Sequence, residues 1–591
     1  MSAAAPGRAR GTLAGTTPRA AAALAVTAAL ALAGCTGGDS APPDPISGEA
    51  GGTLTLLAVD PIDHLDPQQV VALPAINVVT RLMTRTLTTY AAEPSPGGTR
   101  IVADLATDTG TPNEDFTEWT WTLKEGATWQ DGAPVTCEDV RYGVSRGFAA
   151  DVVSGPGDAV DYLAVPRGAG GAPRYLGPYV TEGNDLAAFD RAVSCEGRAI
   201  TFRLNQPVPD FDAVVARPAF APVPKAVDQD PATGGANYDA HVVATGPYRL
   251  ASYDPVSGLT LERNDAWDRD TDQVRRAYPD RVVVVSGLDP AAITTRLLAD
   301  APADQASIMA NSSLGAEALS VALDTESVNP RLVSAPTGQV RYLAINTTRV
   351  ADEKVRAAIV TAVNREAWRA VYGGEALGPY ADGAVPPSLP GGGGVDPFAD
   401  IPPQGNAEAA KVLLAEAGAT NVSLTLDYPA SPQGDQAAEA IKAALAEARI
   451  AVTLRPISGP YYPAVGIAAD QGALTLAGWT PDWASASAIL PPLFAPAQIQ
   501  PVGNRVLSQF SDPELQGLID SAWAAPEGDA QAAAWAVVNS FVVERALLVP
   551  LVFDTTRQLV GSRVANAFAH PFYGQADLAA LAVRPATSKS P

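Results

Sequence analysis

Histidines, cysteines and carboxylates are the residues from which a catalytic or metal-binding site would be built. The histidines are three, His64, His241 and His570. None stands in an H-E-x-x-H or C-x-x-C setting, the spacings that put metal ligands on one helix face or in one turn, so a metalloenzyme is not expected. No G-x-x-x-x-G-K-S/T stretch is present to wrap phosphates in backbone N–H groups, and no G-x-S-x-G elbow to present a nucleophilic serine. The run of four glycines from Gly391 to Gly394 lies in a proline-rich stretch rather than between a strand and a helix, and reads as linker. Asp and Glu total 64, yet no spacing singles out an acid–base pair. A secreted hydrolase would need a nucleophile and a base, and no such pair is found. Neither an enzyme nor a cofactor is expected.

The cysteines are also three. Cys35 follows Arg8, Arg10 and Arg19, then an uncharged Ala- and Leu-rich stretch over 20–33. A basic segment followed by a short apolar one is the order of a secretory signal. The stretch is shorter than the roughly 20 residues a spanning helix requires. Its ending, Leu32-Ala33-Gly34-Cys35, resembles the bacterial lipobox, in which the cysteine is acylated and becomes the first mature residue. Residues 1–34 are therefore read as a lipoprotein signal peptide. Residues 35–51, almost devoid of large apolar side chains, are read as a flexible tether. No other segment is long and apolar enough to cross a bilayer. The protein is expected outside the cytoplasm, held to the outer face of the cell membrane by lipid alone. Exported chains meet oxidising surroundings, so Cys137 and Cys195 read as a disulfide, with two buried thiols as the alternative.

A chain of 591 residues is too long for one simple core and suggests about two to four domains. Apolar residues make up 47% and charged residues 18%, as in a folded globular protein. The net charge of -24 argues against nucleic acid and against anionic membrane surfaces; the acidity is read as a solubility feature.

The elements that must position any site follow from periodicity. A β-rich run starts at 52–57, and Asp66-Pro67 marks a turn. Apolar residues Ile76, Val79, Leu82, Met83 and Leu87 predict a helix over 76–87. Alternating Trp119-Thr120-Trp121-Thr122-Leu123 predicts a half-buried strand. Thr136, with Asp139 three residues on, predicts a capped helix start. Residues 151–198 carry few regular signals, and 200–204 is strand-like. In the second half, strands are predicted over 339–346, 422–428, 451–455 and 473–479. Helices are predicted over 353–372, 406–417 and 433–449. The β-α-β order around the last helix implies a right-handed crossover between parallel strands.

Five blocks, in order, together resemble the extracellular solute-binding proteins of family 5, the dipeptide- and oligopeptide-binding components of ABC importers. The first is Leu65-Asp66-Pro67. The second is Trp129-Gln130-Asp131-Gly132-Ala133-Pro134-Val135-Thr136 with Asp139-Val140 and Arg146, where Trp129 stands for the usual Phe and Cys137 for the usual Ala. The third is Thr245-Gly246-Pro247-Tyr248 with Leu261-Glu262-Arg263-Asn264 and Trp267. The fourth joins Arg341-Tyr342-Leu343-Ala344-Ile345-Asn346 to Val355-Arg356-Ala357-Ala358 and Asn364-Arg365. The fifth is Gly478-Trp479 with Asp482-Trp483. The resemblance runs from about residue 52 to 584. Most of these residues are read as holding the fold: Asp131-Gly132 as a turn, Gly246-Pro247 as a tight connection, Arg356 as a tether.

The resemblance implies an α/β, two-lobed periplasmic-binding-protein-like fold of type II with an extra subdomain inserted in lobe I. Lobe I would hold 52–337, with its insert at about 88–197, and return at 554–591; lobe II would hold 338–553. The hinge would fall near Gly338 and Phe553-Asp554. The protein would be a monomer that captures a peptide between the lobes and hands it to an ABC permease and ATPase. In peptide-binding relatives an Asp in the W-x-x-D segment meets the free α-ammonium, and that position here is Asp482. Trp479 and Trp483 could line the pocket or pack in lobe II, and Tyr461 and Tyr462 are further ligand candidates. The same fold could instead take an oligosaccharide, a metal chelate or haem.

Overall fold

The structure, a computed structural model, describes residues 48–586 except 156, 169, 394–398 and 527. The signal peptide, Cys35 and residues 36–47 of the tether lie outside the described residues, as does Gly394 of the glycine run.

Two five-stranded sheets carry the fold. In the first, the order is Ser307–Met309, Thr53–Leu57, Arg281–Val285, Gly258–Arg263, Tyr248–Asp254. Thr53–Leu57 lies inside it, parallel to both neighbours, which explains its apolar sequence: a strand flanked on both edges and covered above has little surface left for water. In the second, the order is Ile450–Ile457, Val422–Pro429, Leu474–Trp479, Leu332–Ile345, Leu548–Leu559. Helix Pro432–Glu447 crosses between the parallel strands Val422–Pro429 and Ile450–Ile457, as the pattern predicts. Its Ile441 and Leu445 pack on Leu424, Leu426, Leu343 and Ile345 in one apolar cluster. The fold is thus two-lobed and α/β.

A smaller antiparallel sheet joins Thr111–Pro112, Glu118–Thr122, Ala199–Arg203 and Val193–Glu196. Trp119 and Trp121 turn inward onto Phe202 and Phe211, while Thr120 and Thr122 stay half-buried, the division that alternation demands. Helix Cys137–Arg146 starts from a capping box: the Asp139 N–H donates to Thr136 Oγ1, and the Thr136 N–H donates to the Asp139 carboxylate. Cys137 and Cys195 form a disulfide that ties this helix to strand Val193–Glu196.

Two long strands connect the sheets. Leu332–Pro336 pairs with Thr555–Leu559, and Val340–Ala344 with Leu548–Phe553, but Thr337, Gly338 and Gln339 fall out of the ladder between them. Beyond the break, Val560 bridges to Ile308 of the first sheet. Arg341 clamps the Asp554 carboxylate, Nε to Oδ1 at 2.8 Å and Nη2 to Oδ2 at 2.8 Å. Gly338 is required by close approach: a Cβ there would lie 2.9 Å from Pro481 Cγ.

Two helices differ from expectation. The helix expected over 76–87 is α-helical only at Leu73–Val78, then widens to a π-turn at Val79–Met83 and is extended at Thr84. Fully buried arginines lie in and just after this stretch. Arg81 meets Asp577 at 2.6 Å, and Arg85 meets Asp104 at 2.7 Å. A buried guanidinium must reach its carboxylate, and that demand overrides apolar periodicity. The helix expected over 353–372 is split into Glu353–Ala362 and Arg365–Val371. Asn364 lies extended between them and caps the second, its Oδ1 accepting from the Ala367 N–H at 2.8 Å. Arg356 does act as a tether, its Nε donating to the Arg545 carbonyl.

Candidate functional site

The break in the crossing strands opens a cavity of about 310 Å³. The first sheet contributes Asn311 and Ser312, the crossing strands Thr337, Gln339 and Gln558, the second sheet Thr480, and the C-terminal segment Tyr573 and Gln575. No Asp, Glu, Lys, Arg or His lines it. Two shielded polar atoms on its wall, Gln575 Nε2 and Ser312 Oγ, have no hydrogen-bond partner. A buried polar group left unmet costs roughly 1–3 kcal/mol; both atoms are shielded from the cavity, so a guest would reach them only after the wall shifts. Gln558 is fixed in place: its Nε2 donates to the Ala310 carbonyl and its Oε1 accepts from the Ala576 N–H.

Two larger cavities lie beyond. One, of about 480 Å³, is bounded by Tyr90, Asp210 and Asp212 on one side and Leu389, Trp483 and Trp535 on the other. The stacked rings of Phe572 and Tyr90, centroids 4.4 Å apart, lie between it and the cavity at the strand break. The other, of about 470 Å³, has Asp161, Tyr162, Trp483, Arg505 and Trp523 among its walls. The loop after strand Leu474–Trp479 is common to all three: Thr480 faces the cavity at the strand break and Trp483 the other two.

The sequence candidates fall into distinct places. Asp482 is in this loop, its side chain 43% exposed, with Oδ1 3.4 Å from Arg217 Nη1. The same Nη1 lies 2.8 Å from Asp158 Oδ1. Burial pushes the Asp158 carboxyl up to about 6; the Asp482 and Asp161 charges add to this and Arg217 opposes it. Asp482 does not cap the following turn. Ser485 does, its side chain accepting from the Ser487 N–H.

Trp483 is buried in the apolar cluster of the small sheet, beside Phe211 and Phe220. Its indole N–H lies 2.8 Å from Ser487 Oγ and 3.2 Å from Asp210 Oδ2, and Ser487 also bonds Asp210. Trp483 is therefore both a packed residue and a shared wall of two cavities. Trp479 packs under its own loop, donating to the Ala488 carbonyl at 2.8 Å with the Arg505 guanidinium over its ring. Tyr461 donates to the Leu476 carbonyl at 2.6 Å, and burial holds its phenol well above the usual range. The exposed Tyr462 donates to the Gly478 carbonyl at 3.0 Å and accepts the Gly478 N–H at 3.2 Å. Pairing between Val422–Pro429 and Leu474–Trp479 stops at Thr475, and the two tyrosines satisfy the strand edge beyond it. Neither tyrosine lines any of the three cavities.

Sequence reasoning missed Arg217, Asp158, Asp210, Tyr90 and Gln575. Arg217 and Asp158 sit far from Asp482 in the chain and in no recurrent spacing. The one available signal was the rarity of basic residues, which makes each buried arginine informative.

The sequence profile of the bacterial extracellular solute-binding proteins, family 5 Middle, matches residues 100–501. The periplasmic oligopeptide-binding protein OppA of Salmonella typhimurium is 32% identical over 219 residues, 35% of this chain and 35% of its own length. The matched stretch thus spans about a third of that relative. The probable ABC transporter periplasmic-binding protein SapA of Escherichia coli is 25% identical over 356 residues, 58% of this chain and 60% of its own. Among solved structures, clavulanic acid biosynthesis oligopeptide binding protein 2 is 31% identical with a TM-score of 0.81, covering 91% of this chain and 96% of its own. The murein tripeptide binding protein MppA in its unliganded open form has a TM-score of 0.70 at 21% identity, over 91% and 99% of the two chains, and shares the fold.

Proposed function

The chain belongs to the bacterial extracellular solute-binding proteins of family 5, and from that premise we propose that it captures peptides between its lobes and delivers them to an ABC-type permease. The observation that carries this reading is the cavity at the strand break, lined by Asn, Ser, Thr and Gln and, among the described residues, by no charged side chain. A peptide main chain offers alternating carbonyl and amide groups and no net charge between its ends. A wall of Asn, Ser, Thr and Gln can bind such a chain without reading side chains, leaving the larger cavities to hold those side chains among waters. Asp482 is the proposed partner of the free α-ammonium.

Closure would be a movement of residues 338–553 against 52–337 and 554–591, with 88–197 as an insert, flexing where Thr337–Gln339 leave the ladder. Cys35 would carry the lipid that keeps the monomer near its permease. No step in this cycle breaks a bond, so no catalytic group is needed. Names of relatives support the solute class: OppA is an oligopeptide-binding protein, and so by its title is the 31%-identical structure.

Native mass spectrometry of the chain purified from its own cells tests the reading. Bound masses resolving into peptides are expected. Haem, a metal chelate or an oligosaccharide in their place would overturn the peptide assignment and leave the fold untouched.

A further inference from the structure

Asp482 shares its arginine with a second carboxylate. Asp158 and Asp482 are two carboxylates, and a single guanidinium, Arg217, stands between them. Asp158 is almost wholly shielded, its side chain 7% exposed, and Arg217 is 14% exposed. Arg217 meets only one oxygen of Asp158; the other, Oδ2, has no hydrogen-bond partner. A buried, ionisable oxygen with nothing to meet it is costly, and the raised titration of Asp158 is the expected consequence. Asp161 adds a third carboxylate, which Arg167 and Arg505 oppose, so Arg217 is the one guanidinium that Asp158 and Asp482 share, and Asp158 keeps one vacant acceptor.

We propose that Arg217 is a specificity-determining residue that guards Asp482 in the empty protein and moves fully onto Asp158 when a ligand's cationic amino terminus arrives. This rests on the reading of Asp482 as the ammonium partner. The chemistry is exchange of ion pairs, with no bond made or broken. Arg217 divides its Nη1 unequally, 2.8 Å from Asp158 and 3.4 Å from Asp482. The longer contact is the weaker one and faces the more exposed carboxylate, so it is the one a ligand would break. A guanidinium is a planar fork that binds a carboxylate through two parallel N–H bonds, and the vacant Oδ2 completes that geometry on Asp158. Ammonium capture at Asp482 thereby replaces Arg217 there and frees it to satisfy the orphan oxygen in one rearrangement. A ligand with a blocked, neutral terminus does neither. Discrimination arises from the cost of leaving buried charge unpaired rather than from added contacts.

The test uses the full chain and a pool of random four- to six-residue peptides, half of them N-acetylated with an isotopic label. The bound fraction is released and the ratio of free to acetylated peptide is read by mass spectrometry. The wild type is expected to favour free termini at least tenfold. Asp158→Asn, which removes the resting place of Arg217, is expected to cut that ratio at least fivefold while leaving acetylated peptides bound as before; a merely structural role would lower both. Arg217→Met serves as a second variant and is expected to make the ratio insensitive to a further Asp158→Asn change. A ratio unmoved by Asp158→Asn but collapsed by Asp482→Asn would overturn the exchange while keeping the ammonium site. A ratio unmoved by Asp482→Asn, or a pool that yields no bound peptide, would remove the reading on which the exchange rests.

Discussion

Asp158→Asn should make the protein more stable at neutral pH, although it deletes half of an ion pair. Asp158 titrates at about 6 when folded, against 3.8 for the free side chain, chiefly because burial strips water from the carboxylate. Between these values the native state binds more protons than the unfolded chain, so stability falls as pH rises from about 4 through 6. A difference of about two pK units corresponds to roughly 3 kcal/mol against the ionised form at pH 7.5, an upper bound. At pH 4.5 the native carboxyl is mostly protonated and the same linkage leaves about 1 kcal/mol. Asparagine mimics the neutral acid, so the variant should gain these amounts. A chain of this length has an unfolding entropy of about 1 kcal/mol/K, so the gain at pH 7.5 amounts to about 2–3 °C in melting temperature, shrinking below about 1 °C at pH 4.5. Scanning calorimetry of both proteins at the two pH values measures it. A melting temperature lowered by the substitution at pH 7.5 would refute the reasoning, because it would mean that Arg217 already compensates Asp158 in full. A gain in stability together with a loss of terminus discrimination is the signature of a charge kept for function.

Other consequences follow from the same structure. Reducing the Cys137–Cys195 bridge, whose partners are 58 residues apart, should cost roughly 4 kcal/mol on the loop-entropy account; denaturant unfolding with and without reductant should show a shifted midpoint, and coincident curves would contradict this. Asp577→Ala should cost about 3–5 kcal/mol, because it leaves the buried Arg81 guanidinium unpaired; a melting temperature within 1 °C of the wild type would contradict it. Burial pushes His570 down to about 4, so it is neutral in the fold. Its protonation on acidification from 6.5 to 4 should therefore cost stability, opposing the gain from Asp158 over the same range, so His570→Gln should raise the melting temperature at pH 4 relative to that at pH 6.5 in calorimetric scans, and an unchanged profile would contradict this.

Much of the architecture is legible in local patterns, because local physics decides it. The Trp119-Thr120-Trp121 alternation, the Thr136–Asp139 cap and the helix between the parallel strands each follow from two or three neighbouring residues. The elements that depart from pattern do so where distant charge intervenes, as at Arg81 and Arg85. Asn364 carried a readable signal, since an asparagine within a long apolar periodicity is a ready cap. The site is less legible. Tyr461 and Tyr462 have the amphipathic character of ligand contacts, yet their hydroxyls complete a strand edge, a demand set by where pairing with a neighbouring strand stops. The cavity at the strand break draws its Asn, Ser, Thr and Gln from five separate stretches, residue types that carry no motif; only the fold brings them together.

The account turns on where the guest is held. A crystal structure of the chain with the solute it retains from the cell should show a peptide main chain in the cavity at the strand break, within hydrogen-bond reach of its polar lining, Asn311, Thr337, Gln339 and Thr480. A solute seated elsewhere, with that polar lining untouched, would contradict it.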